Sequence, residues 1–124
     1  METIQKYILT VVLGVVSGFL GGGLGLGIST LALPGFILLN LVPNVKTAIG
    51  TTLVSSPASW PSVYRYYKSG NVDLTLGVIY FICYFICSYF GANFFVNLTA
   101  KTLNVSISII HFLLAVYFLY RALH

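Results

Sequence analysis

The chemistry open to this chain rests on hydroxyls, backbone glycines and one histidine. Thr51, Thr52, Ser55 and Ser56 fall in one run, and the pairs Thr51/Ser55 and Thr52/Ser56 are each spaced i, i+4, so each pair shares a helix face. Upstream, residues 21–27 read GGGLGLG and lead into Ser29 and Thr30. Helix N-termini attract anions through unpaired N–H groups and a partial positive charge. Glycine lets a ligand approach the main chain, and hydroxyls add neutral donors. Together these residue types can hold an anion without gripping it by a full charge, which suits a carrier. The candidate anion-binding residues are Gly22, Gly23, Gly25, Gly27, Ser29, Thr30, Thr51, Thr52, Ser55 and Ser56. His111 lies deep in an apolar run and is the candidate proton relay. The competing reading makes the small residues packing positions at tight helix crossings, as in Gly14-x-x-x-Gly18, and makes His111 a hydrogen-bonded packing residue. A run as dense as 21–27 goes beyond what packing alone requires.

Other chemistries lack their residues. Glu2 and Asp73 are the only carboxylates, and neither lies within an apolar run, Asp73 standing at the start of one, which removes intramembrane aspartyl proteolysis and most metal chemistry. The glycines match neither the phosphate-binding G-x-x-x-x-G-K-[ST] loop nor G-x-G-x-x-G. Cys83 and Cys87 sit at i, i+4, which fits neither a zinc site without further ligands nor a CxxC redox pair. The expectation is a protein that is not an enzyme and that has neither metal nor cofactor. Six scattered basic residues form no stripe, so nucleic acid is not an expected partner.

The elements that must position these residues are membrane helices. The chain has 124 residues, 58% hydrophobic and 6% charged, against about 25% charged in a soluble domain. A helical span needs about 20 apolar residues. Segments 45–67, 72–96 and 102–122 meet that length. Ser69-Gly70-Asn71 separates the first two, and the polar joint 97–101 separates the last two. Segment 7–42 is too long for one span and is expected to break at residues 21–27, since each interior glycine costs a helix about 1 kcal/mol. Its two arms read as half-helices meeting within the bilayer, where non-helical backbone is tolerated only inside protein or along a wet cavity. The apolar run continues past any plausible leader cleavage point, so this segment is expected to stay in the membrane. The fold class is all-α: a polytopic helical membrane protein, residues 1–124 forming one transmembrane domain of three full spans plus a Gly-broken N-terminal helix pair.

At this point the motifs resemble a known family. Gly18-Phe19-Leu20-Gly21-Gly22-Gly23-Leu24-Gly25-Leu26-Gly27, then Leu33-Pro34, then Ala48 to Leu53 with Gly50-Thr51-Thr52-Leu53, resemble the repeat unit of the TauE/SafE sulfite exporters, also called toluene-sulfonate uptake permeases. The basic aromatic stretch Tyr64 to Lys68 and the turn Ser69 to Asp73 follow in the same order. The resemblance implies an integral membrane carrier for small, often sulfur-containing, anions. Family members usually carry two such repeats in one chain, and this sequence carries one.

The resulting expectation is a secondary carrier for an anion such as sulfite, thiosulfate or an organosulfonate. It would act by alternating access as a homodimer in the cell (plasma or inner) membrane. The alternative is a non-transporting subunit packed against another membrane protein. If the two arms form one broken span, Lys6, Arg65, Lys68 and Arg121 oppose Lys46 and Lys101; the arm lengths favour an odd number of crossings, which places Lys6, Lys46 and Lys101 on one side and Arg65, Lys68 and Arg121 on the other. That balance favours an antiparallel, dual-topology pair over a parallel one.

Overall fold

The computed structural model describes residues 2–26 and 28–124, the side chains of residues 28 and 29 excepted. Its elements are α1 (Thr3–Leu24), α2 (Ile28–Leu38), α3 (Val45–Leu53), a 3-10 turn (Pro57–Ser59), α4 (Trp60–Lys68), α5 (Leu74–Phe95) and α6 (Ala100–Leu123). Among the described residues there is no strand. Local chemistry sets the boundaries. The Asn44 side chain accepts from the Thr47 N–H at 2.9 Å and opens α3. Asp73 accepts from the Leu76 N–H at 3.1 Å and opens α5, and Thr99 accepts from the Thr102 N–H at 3.3 Å and opens α6. Gly25, in the left-handed region at φ 71°, closes α1.

The frame is a close crossing of α1 with α5. A Cβ added at Gly14 would lie 2.6 Å from the Cys83 Cβ, one at Gly18 2.8 Å from the Tyr84 carbonyl, and one at Gly22 2.6 Å from the Ser88 backbone. Gly91 returns the arrangement, seated against the Phe19 carbonyl. The contacts advance in the same sense on both helices, so α1 and α5 run parallel. The chain must therefore come back between them. Gly35 of α2 packs on Leu13, Phe36 meets Tyr80 with ring centroids 5.6 Å apart, and Leu41 joins Leu76 and Ala48 in one buried cluster. The return ends where α1 began.

The α3–turn–α4 segment is a hairpin that enters and leaves at that same end. Thr47 Oγ1 donates to Asn71 Oδ1 at 3.3 Å, while Val54, just past α3, packs on Gly77 further along α5. The Asn71 N–H donates to the Tyr66 carbonyl at 2.9 Å, so the far end of α4 is back beside the start of α3. α6 then runs from the Leu24/Leu26/Phe95 cluster, through Leu103, Ile107 and Ile110, to Phe118 at the Tyr80 cluster. It has no buried residue of its own.

Among the described residues three helices are long and apolar enough to span a membrane, as the sequence predicts, but one of them is a different segment. Segments 72–96 and 102–122 correspond to α5 and α6. Segment 45–67 is not one continuous helix: it divides at residues 54–59, where Pro57 begins a 3-10 turn and Pro61 enters α4, both lacking the N–H a continuous helix needs. The third long helix is α1, of 22 residues, expected above to be only a short arm. Gly21, Gly22 and Gly23 are helical within it because their missing side chains admit α5, and that packing offsets the propensity cost. The break comes at Gly25, at the far end of α1. Gly27 lies outside the described residues.

The parity of crossings changes with this topology. Thr3 and Leu123 lie at the same end, together with Lys6, Lys46, Arg65, Lys68 and Arg121, and only Lys101 lies at the opposite end. The balanced tally expected from an odd count becomes five against one, a strong orientation signal. The tally therefore no longer favours an antiparallel pair over a parallel one. Reporter fusions after His124 should give a cytoplasmic signal alone, and a cysteine placed at Lys101 should label only from the opposite face. Separately, Gly22→Ala should destabilise the fold by about 1–3 kcal/mol, the usual cost of overpacking, read as a lower unfolding temperature in detergent.

Candidate functional site

The hairpin of α3 and α4 carries its hydroxyls into the body of the protein. Thr51 and Ser55 are fully buried and Thr52 is 2% exposed. Thr51 Oγ1 accepts from the Asp73 N–H at 2.9 Å, which ties α3 to the start of α5. Thr52 Oγ1 and Ser55 Oγ are buried without a hydrogen-bond partner among the described residues. A buried hydroxyl in that state costs about 1–3 kcal/mol, so two together on one turn of a membrane protein point to a group that completes them. Ser56 stands apart, with its Oγ 3.5 Å from Ser59 Oγ.

The backbone at the hairpin tip has a polarity that favours an anion. The carbonyls of Thr51, Thr52 and Leu53 accept from the N–H groups of Val54, Ser55 and Ser56 at 3.3, 3.1 and 3.0 Å. The Val54 carbonyl takes the Trp60 indole N–H at 3.1 Å. The negative end of α3 is thus largely used up. The helical run from Pro57 through Lys68 begins at the same tip, so its positive end lies beside these hydroxyls, with Pro57 and Ala58 exposed. One turn further along α5 from Gly77 lies Tyr80, fully buried, with Ser17 of α1 buried beside it.

The sequence-predicted site does not assemble as one. Gly22 and Gly23 face Ser88, Gly91 and Phe95, while Thr51 and Val54 face Gly77. The step from Gly77 to Gly91 along α5 is about 21 Å at 1.5 Å per residue. Gly22 and Gly23 are packing positions, and the left-handed Gly25 ends a helix with open space around it. Gly27 and the Ser29 side chain lie outside the described residues, and Thr30 is half-buried on α2. His111 is exposed on α6, its Nδ1 2.8 Å from the Ile107 carbonyl one turn back. Thr51, Thr52 and Ser55 remain together, and Ser17, Tyr80 and the start of the 57–68 run were not in the predicted set. Ser17 was legible, with Thr10, as a hydroxyl on the Gly14/Gly18/Gly21 stripe, and Pro57 as a helix start.

Helices of this length and apolarity are those of an integral membrane protein. The chain belongs to the sulfite exporter TauE/SafE family, whose family model matches residues 10–124. That family consists of membrane transporters of sulfur anions. No curated protein and no solved structure matches the chain.

The Thr51 hydroxyl has a structural partner, so its removal should be felt in stability. Thr51→Val leaves the Asp73 N–H without an acceptor in a part-buried place and should cost about 1–3 kcal/mol. Unfolding temperature against that of Thr52→Val, which breaks no described hydrogen bond, is the comparison that checks it.

Proposed function

We propose that the chain is a secondary carrier for a small sulfur-containing anion, of the kind represented by sulfite, thiosulfate or an organosulfonate, in the cell membrane. The observation that carries the reading is the pair of buried, unpartnered hydroxyls on Thr52 and Ser55 at the tip of an inward-pointing hairpin. An anion at the tip would receive both protons and face the positive end of the 57–68 run. Neutral donors hold an oxyanion loosely enough to release it on either side, as alternating access requires.

The transporting unit is a homodimer in this reading. With five of the six Lys and Arg residues at one end, two copies in one membrane share one orientation. A pair related by an axis along the membrane normal, as in parallel-repeat carriers, is then the natural arrangement. The spanning helix α6, which buries none of its residues, supports such a pairing because it leaves a full-length flank for the second copy.

A thermal-shift screen in detergent against sulfite, sulfate, thiosulfate, taurine and aryl sulfonates tests the site. A true substrate at 100 times its dissociation constant should stabilise the protein by about 2.7 kcal/mol. Thr52→Val and Ser55→Ala should each lower affinity about fivefold to tenfold, the value of one hydrogen bond of about 1–1.5 kcal/mol, and leave the ligand-free unfolding temperature unchanged or raised. Stabilisation by none of these anions overturns the proposal.

A further inference from the structure

A second polar feature lies away from the hairpin tip, at the end of the molecule that gathers the positive charge. A cleft of about 380 Å³ opens there, lined by Lys46, Arg65, Tyr66, Ser69 and Asn71. Lys46 stands in the first turn of α3 and Arg65 in the last turn of α4, so two elements bring one cation each to the same space. Neither carboxylate of the chain lines it: Asp73 is occupied with the Leu76 N–H at the start of α5, and Glu2 precedes α1. The cleft therefore carries two positive charges with no negative charge on its walls.

The surroundings are those of a lipid headgroup layer rather than of an aqueous channel. Tyr64 and Tyr67 of α4 are each more than half exposed, and Lys68 lies over the Tyr64 ring at 4.8 Å. Exposed aromatics interleaved with bases are the side chains of a membrane–water interface. Val45, next to Lys46, is exposed as well and offers apolar surface beside the charge. Five of the six basic residues lie at this end, which the positive-inside rule assigns to the anionic cytoplasmic leaflet.

We infer that this cleft binds the phosphate of an anionic phospholipid, with the Arg65 guanidinium and Lys46 ammonium on the phosphate oxygens, while the Ser69 hydroxyl on the Tyr66 carbonyl and the Asn71 amide on Ser69 and Thr47 hold the wall between them. Arginine suits a phosphate because its planar fork can meet two oxygens at once, and lysine adds a point charge. The bound lipid would hold α3 against α4 at their open end, opposite the tip that carries Thr52 and Ser55. This site is independent of the transport reading, since it uses none of the hydroxyls at the tip.

Native mass spectrometry of the full chain, released from neutral detergent with phosphatidylglycerol or phosphatidylcholine added, tests the inference. Wild type should retain phosphatidylglycerol in preference to phosphatidylcholine. Lys46→Gln/Arg65→Gln should lower that retention about thirtyfold, the worth of two interfacial bases. Lys101→Gln, at the opposite end, should leave it unchanged. Each variant's unfolding temperature without lipid is measured alongside, and the single substitutions Lys46→Gln and Arg65→Gln give intermediate losses on a fold that is kept. Equal retention by wild type and the double variant overturns the site. Equal retention of the two lipids does so too, as does stabilisation by inorganic phosphate or sulfate that matches phosphatidylglycerol and depends on the same two residues, since that would mark an entrance for free anions.

Discussion

The close approach of α1 to α5 is the constraint on which the other features depend. It exists because Gly14, Gly18 and Gly22 on one helix and Gly91 on the other present backbone where any other residue would present a side chain. In lipid, helices gain little from burying apolar surface against each other, so close van der Waals contact has to supply the attraction. Fixing these two helices parallel obliges residues 25–73 to begin at one end and finish at the other. The short α2, the hairpin of α3 and α4, and the gathering of five bases at one end all follow.

The hairpin meets the opposite demand. It brings polar hydroxyls and helix ends into a region where each unsatisfied group is costly, so its polar groups need partners. Most have them. The carbonyls at the tip are met by backbone N–H groups and the Trp60 indole, and Thr51 is met by Asp73. The exceptions, Thr52 and Ser55, stand out because their neighbours are satisfied. A membrane transporter of sulfur anions needs polar groups that are incomplete until the ligand arrives. These two meet that description without a formal charge that would hold the ligand too long.

Charge is kept at the periphery for the same physical reason. The Lys and Arg residues flank the helices, and the buried polar groups are all neutral. Selectivity for an anion would then come from hydroxyl protons and a helix end, while the bases set orientation and meet the lipid headgroups. Two electrostatic tasks are thereby separated by depth: permanent charge at the surface and dipoles inside.

The all-helical membrane fold, the two C-terminal spans and the hydroxyl run of 51–55 were determined by sequence alone. Length, hydropathy and capping residues such as Asp73 and Thr99 act locally and leave little to the rest of the chain. The family was legible as well, because its motifs are ordered along the chain. What only the tertiary structure decided was the role of the glycines. Propensity makes residues 21–27 a break, yet Gly21, Gly22 and Gly23 stay helical because α5 occupies the space their side chains would fill, and no local rule contains that neighbour. The prolines at 57 and 61 were visible, but whether they kink one span or turn a hairpin depends on Thr47, Thr51 and Val54 packing along the start of α5. Parity, orientation and the separation of the glycines from the hydroxyls all descend from those two long-range contacts.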